Sequence, residues 1–157
     1  APGAFELVTS AGALNYADVP LSLAEIARVL SSQGLFAPYD FSAGCRIRDD
    51  TRLSEWHREF SARYPSPPGY ALELAALDYR AHGLALLTFE TFEVDLPLSL
   101  DEYVDYLLGE AGVEVAFRAG LSEAEMRSRC EDDLRPIFSA GPRTIVFDAE
   151  LAVARKR

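Results

Sequence analysis

Phe5-Glu6-Leu7-Val8-Thr9-Ser10-Ala11-Gly12-Ala13-Leu14-Asn15-Tyr16 is the stretch on which the fold turns. Its first half is β-favouring and closes on small residues, so 5–10 reads as a buried strand entering a tight loop. Working outward, Asp18 and Pro20 open a helix. The first offers a side-chain acceptor to the first turn, and the second has no N–H to lose there. Leu23, Ile26, Ala27 and Leu30 recur at i, i+3, i+4 and i+7 and share one helix face. Gly34 is placed to cap that helix. Leu35-Phe36-Ala37-Pro38-Tyr39 reads as a second strand. Strand, helix, strand is a βαβ unit, and such units build parallel sheets with right-handed crossovers.

Beyond it the pattern changes. Residues 42–50 are loop-like and carry Arg46 and Arg48. Thr51 to Arg63 is helical, with Leu53, Trp56 and Phe60 on one face. Pro65-Ser66-Pro67-Pro68-Gly69 is a loop, and the Ala- and Leu-rich residues 70–81 predict a helix. Residues 42–81 thus read as a helical insertion on a sheet. Residues 86–96 are β-like. Ser99 and Glu102 form a capping box stapled by Leu98 and Tyr103, opening a helix that should run to about Ala111. Ser122 and Glu125 form a second, after which Met126, Cys130, Leu134 and Ile137 line one face. Arg143 to Arg155 alternates apolar and polar as a half-exposed strand does, and Arg155-Lys156-Arg157 reads as a frayed tail. The expectation is a single α/β domain over 1–157.

Composition narrows the function. The chain has 157 residues, of which 49% are hydrophobic and 25% charged, as in a globular domain. Its net charge of −10 argues against general nucleic-acid binding, which needs a positive face for phosphates. No apolar run is long enough to span a membrane. Cys45 and Cys130 stand far apart without a CxxC, which leaves neither a disulfide scaffold nor a metal-ligand spacing with His57 and His82. With no signal peptide, a cytoplasmic setting is expected. Arginine supplies all basic residues but Lys156, a usage that fits a GC-rich bacterial source. The opening Ala1-Pro2-Gly3-Ala4 enters an apolar run at once, which fits a cut through a longer protein better than a natural start.

No GxGxxG and no GxxxxGK(S/T) occurs, so a complete nucleotide loop of either kind is absent from this chain. There is no GxSxG. His57 could serve as a general base or be an ordinary surface histidine. Arg46, Arg48, Arg52, Arg58 and Arg63 crowd into one segment of an acidic protein. They either pair with Asp49, Asp50 and Glu55 or recognise an anionic substrate through bidentate contacts. Tyr16, Tyr39 and Phe41 fall at or beyond the carboxyl ends of the two predicted parallel strands, where open α/β sheets bind ligands. Trp56 and Tyr103 either face the same crevice or pack in the core.

The run Phe5 to Tyr16 resembles the fourth-strand motif of class I S-adenosylmethionine-dependent methyltransferases, often FDLVTxxxALHW, with Asn15-Tyr16 where His-Trp is common. Leu23 to Leu35 resembles the same family's EAxRVLxPGG helix and fifth strand, with Ser32 and Gln33 in place of the Pro and first Gly. Leu98 to Leu107, Pro136-Ile137-Phe138 and the last strand are similar to the small-molecule branch related to trans-aconitate methyltransferases. The resemblance implies a partial Rossmann-like sheet of strands four to seven, the last antiparallel, with 42–81 as the substrate cover. It implies that Ser10, Ala11, Gly12 and Leu14 lie against the cofactor. Asn15, Tyr16, Tyr39, Arg46, Arg48, Trp56 and Tyr103 would meet the substrate, and His57 or Tyr16 would act as base where the acceptor needs one. S-adenosylmethionine would bind only with the missing glycine-rich half, so this chain would be inactive alone. Its first strand would be a bare edge, calling for a complementing N-terminal half or self-association. The alternative is a non-catalytic ligand-binding or protein-interaction module on the same fold. The expected partner of the enzyme is a small-molecule substrate, and neither reading calls for nucleic acid, membrane or metal.

Overall fold

The structure, a computed structural model, describes residues 1–157. Five strands and five helices follow the order β1 (Phe5–Ala11), α1 (Val19–Val29), β2 (Leu30–Phe41), β3 (Arg46–Ile47), α2 (Arg52–Arg63), β4 (Leu84–Leu98), α3 (Leu100–Leu108), α4 (Ala111–Arg118), α5 (Glu123–Leu134) and β5 (Arg143–Lys156). The hydrogen-bonded strand order is β1-β2-β5-β3, with β4 also paired to β5. The chain folds as two compact units, one of Ala1–Ser42, Gly69–Glu93 and Asp148–Arg157, the other of Ala43–Pro68 and Val94–Phe147. The stretch 42–81 is therefore shared between units.

In the first unit, β1 and β2 are parallel neighbours, with Leu7 opposite Leu35 and Ala11 opposite Tyr39. Asp18 accepts from the Leu21 amide at 2.9 Å and starts α1. Leu23 and Leu30 bury the predicted apolar face with Leu14, Phe36, Leu74, Tyr79 and Leu84. β2 and β5 are antiparallel, Tyr39 facing Leu151 and Leu35 facing Arg155. The expected sheet, parallel with an antiparallel last strand, is what the chain forms.

Three local expectations fail, each for a tertiary reason. Gly34 does not cap α1: the helix ends at Val29 and the chain is extended from Leu30. The strand pairing jumps from Phe5–Leu30 to Leu7–Leu35, and Gln33 takes a φ of 67° in the extra turn. Gly34 is needed there for close approach, since a Cβ would lie 3.1 Å from the Phe5 carbonyl oxygen. Residues 70–81 form no α-helix, only short 3₁₀ turns at Leu74–Ala76 and Arg80–His82. Their backbone groups are engaged elsewhere. The Tyr79 hydroxyl donates to the Leu74 carbonyl at 2.8 Å, and the Leu74 amide donates to Glu150 at 3.3 Å. Burial of Leu74 and Tyr79 outweighs helix propensity, which is a weak bias. The tail is not frayed either. Lys156 Nζ donates to the Leu30 carbonyl at 2.7 Å, and the Arg157 amide donates to the Gly83 carbonyl at 3.0 Å.

The second unit is mostly helical. β3 pairs with β5, Arg46 opposite Val146 and Ile47 opposite Ile145. The Ser99–Glu102 capping box forms in both directions, and Ser122 accepts from the Glu125 amide at 3.3 Å. α3 stops at Leu108 rather than near Ala111, and α4 follows after Gly109 and Glu110. Met126, Cys130, Leu134 and Ile137 meet Leu53, Tyr103, Val104 and Leu107 in one core.

Candidate functional site

Where β1 and β2 end side by side, the first unit opens a shallow crevice. Ser10, Gly12, Ala13, Leu14 and Asn15 line one wall and Pro38, Tyr39, Asp40 and Leu74 the other. The parallel pairing puts the carboxyl ends of both strands at one edge, and that edge is where open α/β sheets hold ligands. Gly12 turns the chain away with a φ of 55°, a conformation costly for side-chain-bearing residues. A Cβ on it would come within 3.2 Å of Asp40 Oδ1. Leu14 drops into the core from a 3₁₀ turn, which leaves Asn15 at the rim.

Polar groups across the crevice are tied together. Asn15 Nδ2 donates to Asp40 Oδ2 at 2.9 Å, and the Phe41 amide donates to Asp40 Oδ1 at 2.8 Å. The Tyr16 ring is exposed, its hydroxyl 3.0 Å from that of Tyr70 and the rings edge-on. Tyr39 meets Phe41 edge-on at 6.1 Å.

Of the residues expected at the site, Ser10, Gly12, Leu14, Asn15 and Tyr39 line this crevice. Ala11 is exposed at the end of β1 and is not among the lining residues. Tyr16 lies in the first unit but is not among the lining residues, and the other expected residues lie in the second unit. His57 sits on α2 with Nδ1 3.2 Å from Ser61 Oγ, and burial pulls its pKa below the usual imidazole value while Glu110 opposes that shift. Trp56 stacks on Phe60 at 4.8 Å, and its indole nitrogen donates to Asp133 at 3.4 Å. Arg48 grips Asp95 with Nε at 3.2 Å and Nη2 at 2.9 Å. Arg46 lies in β3 opposite Val146. Arg52 forks onto Asp50, and Arg143 reaches the same carboxylate at 2.8 Å.

Tyr103 needs correction. It is 0% exposed, stacked between Tyr106 and Phe138, and its hydroxyl donates to the Gly44 carbonyl at 2.6 Å. Burial pushes its phenol pKa far up. A side chain so enclosed, with its one donor committed, is a core residue and not a crevice wall.

Asp40 is the residue that sequence reasoning missed. Its only signal is position, an acid just past the predicted second strand. No periodicity or motif marks it.

Compared with solved structures, the chain superposes over 99% of its length on a protein from Anaeromyxobacter dehalogenans assigned as a type II methyltransferase, with 19% identity and a TM-score of 0.65. The fold is that of the methyltransferases. A second protein assigned as a methyltransferase, from Bacillus halodurans, matches over 99% of this chain with 15% identity and a TM-score of 0.50. The chain spans 66% of the first protein's length and 65% of the second's. No family model matches the sequence, and no curated protein does. No helix of the chain is long and apolar enough to cross a membrane.

Proposed function

We propose that this chain is the sheet-closing part of an S-adenosylmethionine-dependent methyltransferase acting on a small molecule. The observation that carries the reading is the parallel β1–β2 pair with a crevice at its carboxyl ends, on a chain that superposes over 99% of its length on a methyltransferase fold. The cofactor supplies an activated methyl group on a sulfonium. The residues here supply position. Gly12, lacking a Cβ, keeps the mouth open, while Ser10 and Leu14 shape the wall. Alignment of donor and acceptor and exclusion of water are the main demands of such a displacement.

The crevice alone is too shallow to enclose a nucleoside. We therefore place the remainder of the donor site on a segment that pairs with the outer edge of β1. That strand is terminal in the sheet, and Phe5 and Leu7 are 51% and 55% exposed. Apolar edges of this kind favour strand addition. The segment is either the preceding part of the same protein or a second chain. Tyr16, in the same unit as the crevice, is the candidate base where the acceptor needs one.

Titration calorimetry with S-adenosylhomocysteine tests this on two samples, the chain as it stands and the product of its whole coding sequence. Binding by the second and none by the first is expected. Tight binding by the present chain overturns the shared donor site. Binding by neither, alone or mixed with the chain that pairs with β1, overturns the cofactor assignment.

A further inference from the structure

We propose that Asp40 anchors a cationic ammonium group carried by the methyl acceptor. The inference deepens the methyl-transfer reading and rests on it for the word acceptor. Asp40 is the one carboxylate side chain of the crevice wall, which holds no arginine, lysine or histidine. No arginine or lysine contacts it. Its two protein donors, the Asn15 side-chain amide at 2.9 Å and the Phe41 amide at 2.8 Å, are both neutral. They hold the carboxylate in place and leave its charge uncompensated. A carboxylate has about four acceptor positions, so these two bonds leave others for a ligand.

The opposite polarity finds no support at the arginines. Arg48 and Arg52 both have their guanidinium forks on carboxylates, Asp95 and Asp50. An anionic acceptor entering the crevice would meet Asp40 and no cation. An alkylammonium would donate to Asp40 with charge assistance, the stronger class of hydrogen bond. The donor carries two cations of its own: a sulfonium, which has no N–H to donate, and an α-ammonium beside a carboxylate, which Asp40 would repel where it attracts a simple alkylammonium. Asp40 also lies on β2, one strand in from the β1 edge where the donor is placed.

The test needs only this chain and simple probes. Backbone and side-chain amide NMR shifts of Gly12, Asn15 and Phe41 are followed during titration with n-butylammonium, n-butyrate, trimethylsulfonium and S-methyl-L-methionine, which carries the donor's sulfonium, α-ammonium and carboxylate together, at constant ionic strength. Saturable shifts with butylammonium are expected, weakened about tenfold in Asp40→Asn, roughly the loss of one charge-assisted hydrogen bond. Butyrate should leave these amides unmoved, and trimethylsulfonium should bind more weakly than butylammonium. Equal or better binding of butyrate overturns the proposal. So does binding of trimethylsulfonium or S-methyl-L-methionine that matches or exceeds that of butylammonium, either of which would give the cation to the donor. The wild-type comparison among probes stands even if Asp40→Asn unfolds. No cofactor enters this experiment, so its failure is separate from a failure of the calorimetry above.

Discussion

Asn15 and Asp40, 25 residues apart in sequence, meet through a 2.9 Å hydrogen bond that joins the loop after β1 to the end of β2. Gly12 makes that meeting possible. Its φ is 55°, and a Cβ would stand 3.2 Å from Asp40 Oδ1. Gly12→Ala should cost about 1–2 kcal/mol from the left-handed backbone alone. The extra methyl should also shift the Asn15 side-chain amide resonance. Urea unfolding measures the first and NMR the second. An unchanged midpoint would mean that the turn relaxes freely.

Gly112, inside α4, should defy helix propensity. Replacing a helical glycine by alanine ordinarily gains about 1 kcal/mol. Here the new Cβ would collide with the Tyr64 carbonyl, which is backbone and cannot swing aside. Overpacking costs about 1–3 kcal/mol, so Gly112→Ala should be a net loss. Gly109→Ala is the control: its Cβ would lie 3.4 Å from the nearest atom, an ordinary contact. A stabilised Gly112→Ala in thermal unfolding would contradict this packing.

The Tyr103 hydroxyl is buried and gives its proton to the Gly44 carbonyl at 2.6 Å. Tyr103→Phe keeps the ring and removes the donor. Leaving that acceptor unsatisfied should cost about 1–3 kcal/mol in chemical denaturation. Gly44→Ala should also destabilise the second unit, because its Cβ would enter the Phe147 ring. A Tyr103→Phe variant as stable as the parent would show that Gly44 finds another donor.

Acid should weaken the second unit through Asp50. The Arg52 side chain and amide, then the Arg143 charge, hold its carboxyl well below the usual range. A depressed folded pKa means that the unfolded chain takes up the proton first. The contribution is whole above the unfolded value of about 4 and is lost as pH falls below it. Asp50→Asn should therefore flatten the fall of stability below about pH 4. Parallel pH–stability curves for variant and parent would remove Asp50 from the account.

The β1 edge carries a prediction about association. Phe5 and Leu7 are exposed on a terminal strand, so this chain should associate as its concentration rises. Leu7→Lys puts a charge on the edge and should lower that tendency in sedimentation velocity. A parent that stays monomeric at every concentration tested would argue against strand addition at β1.

Periodicity and capping carry far in this sequence. The βαβ start, the capping box at Ser99 and the buried stripe Met126, Cys130, Leu134 and Ile137 depend on neighbours within a few residues, and all were legible. So was the loop Ser10 to Asn15, because a strand ending in small residues has few other uses. Aromatic identity carried less. Trp56 and Tyr103 read alike for core or cleft, and burial alone separates those roles.

What the chain order determined by itself is the alternation of strand and helix, and with it the parallel pair whose ends make a crevice. Local chemistry suffices for that, since caps, turns and apolar spacing act over one or two turns of chain. Only the tertiary structure decided that 70–81 gives up helix for the bond of Tyr79 to Leu74, that β2 begins at Leu30, and that Asp40 faces Asn15. Each of these depends on atoms brought together from distant positions or on burial that no local window contains.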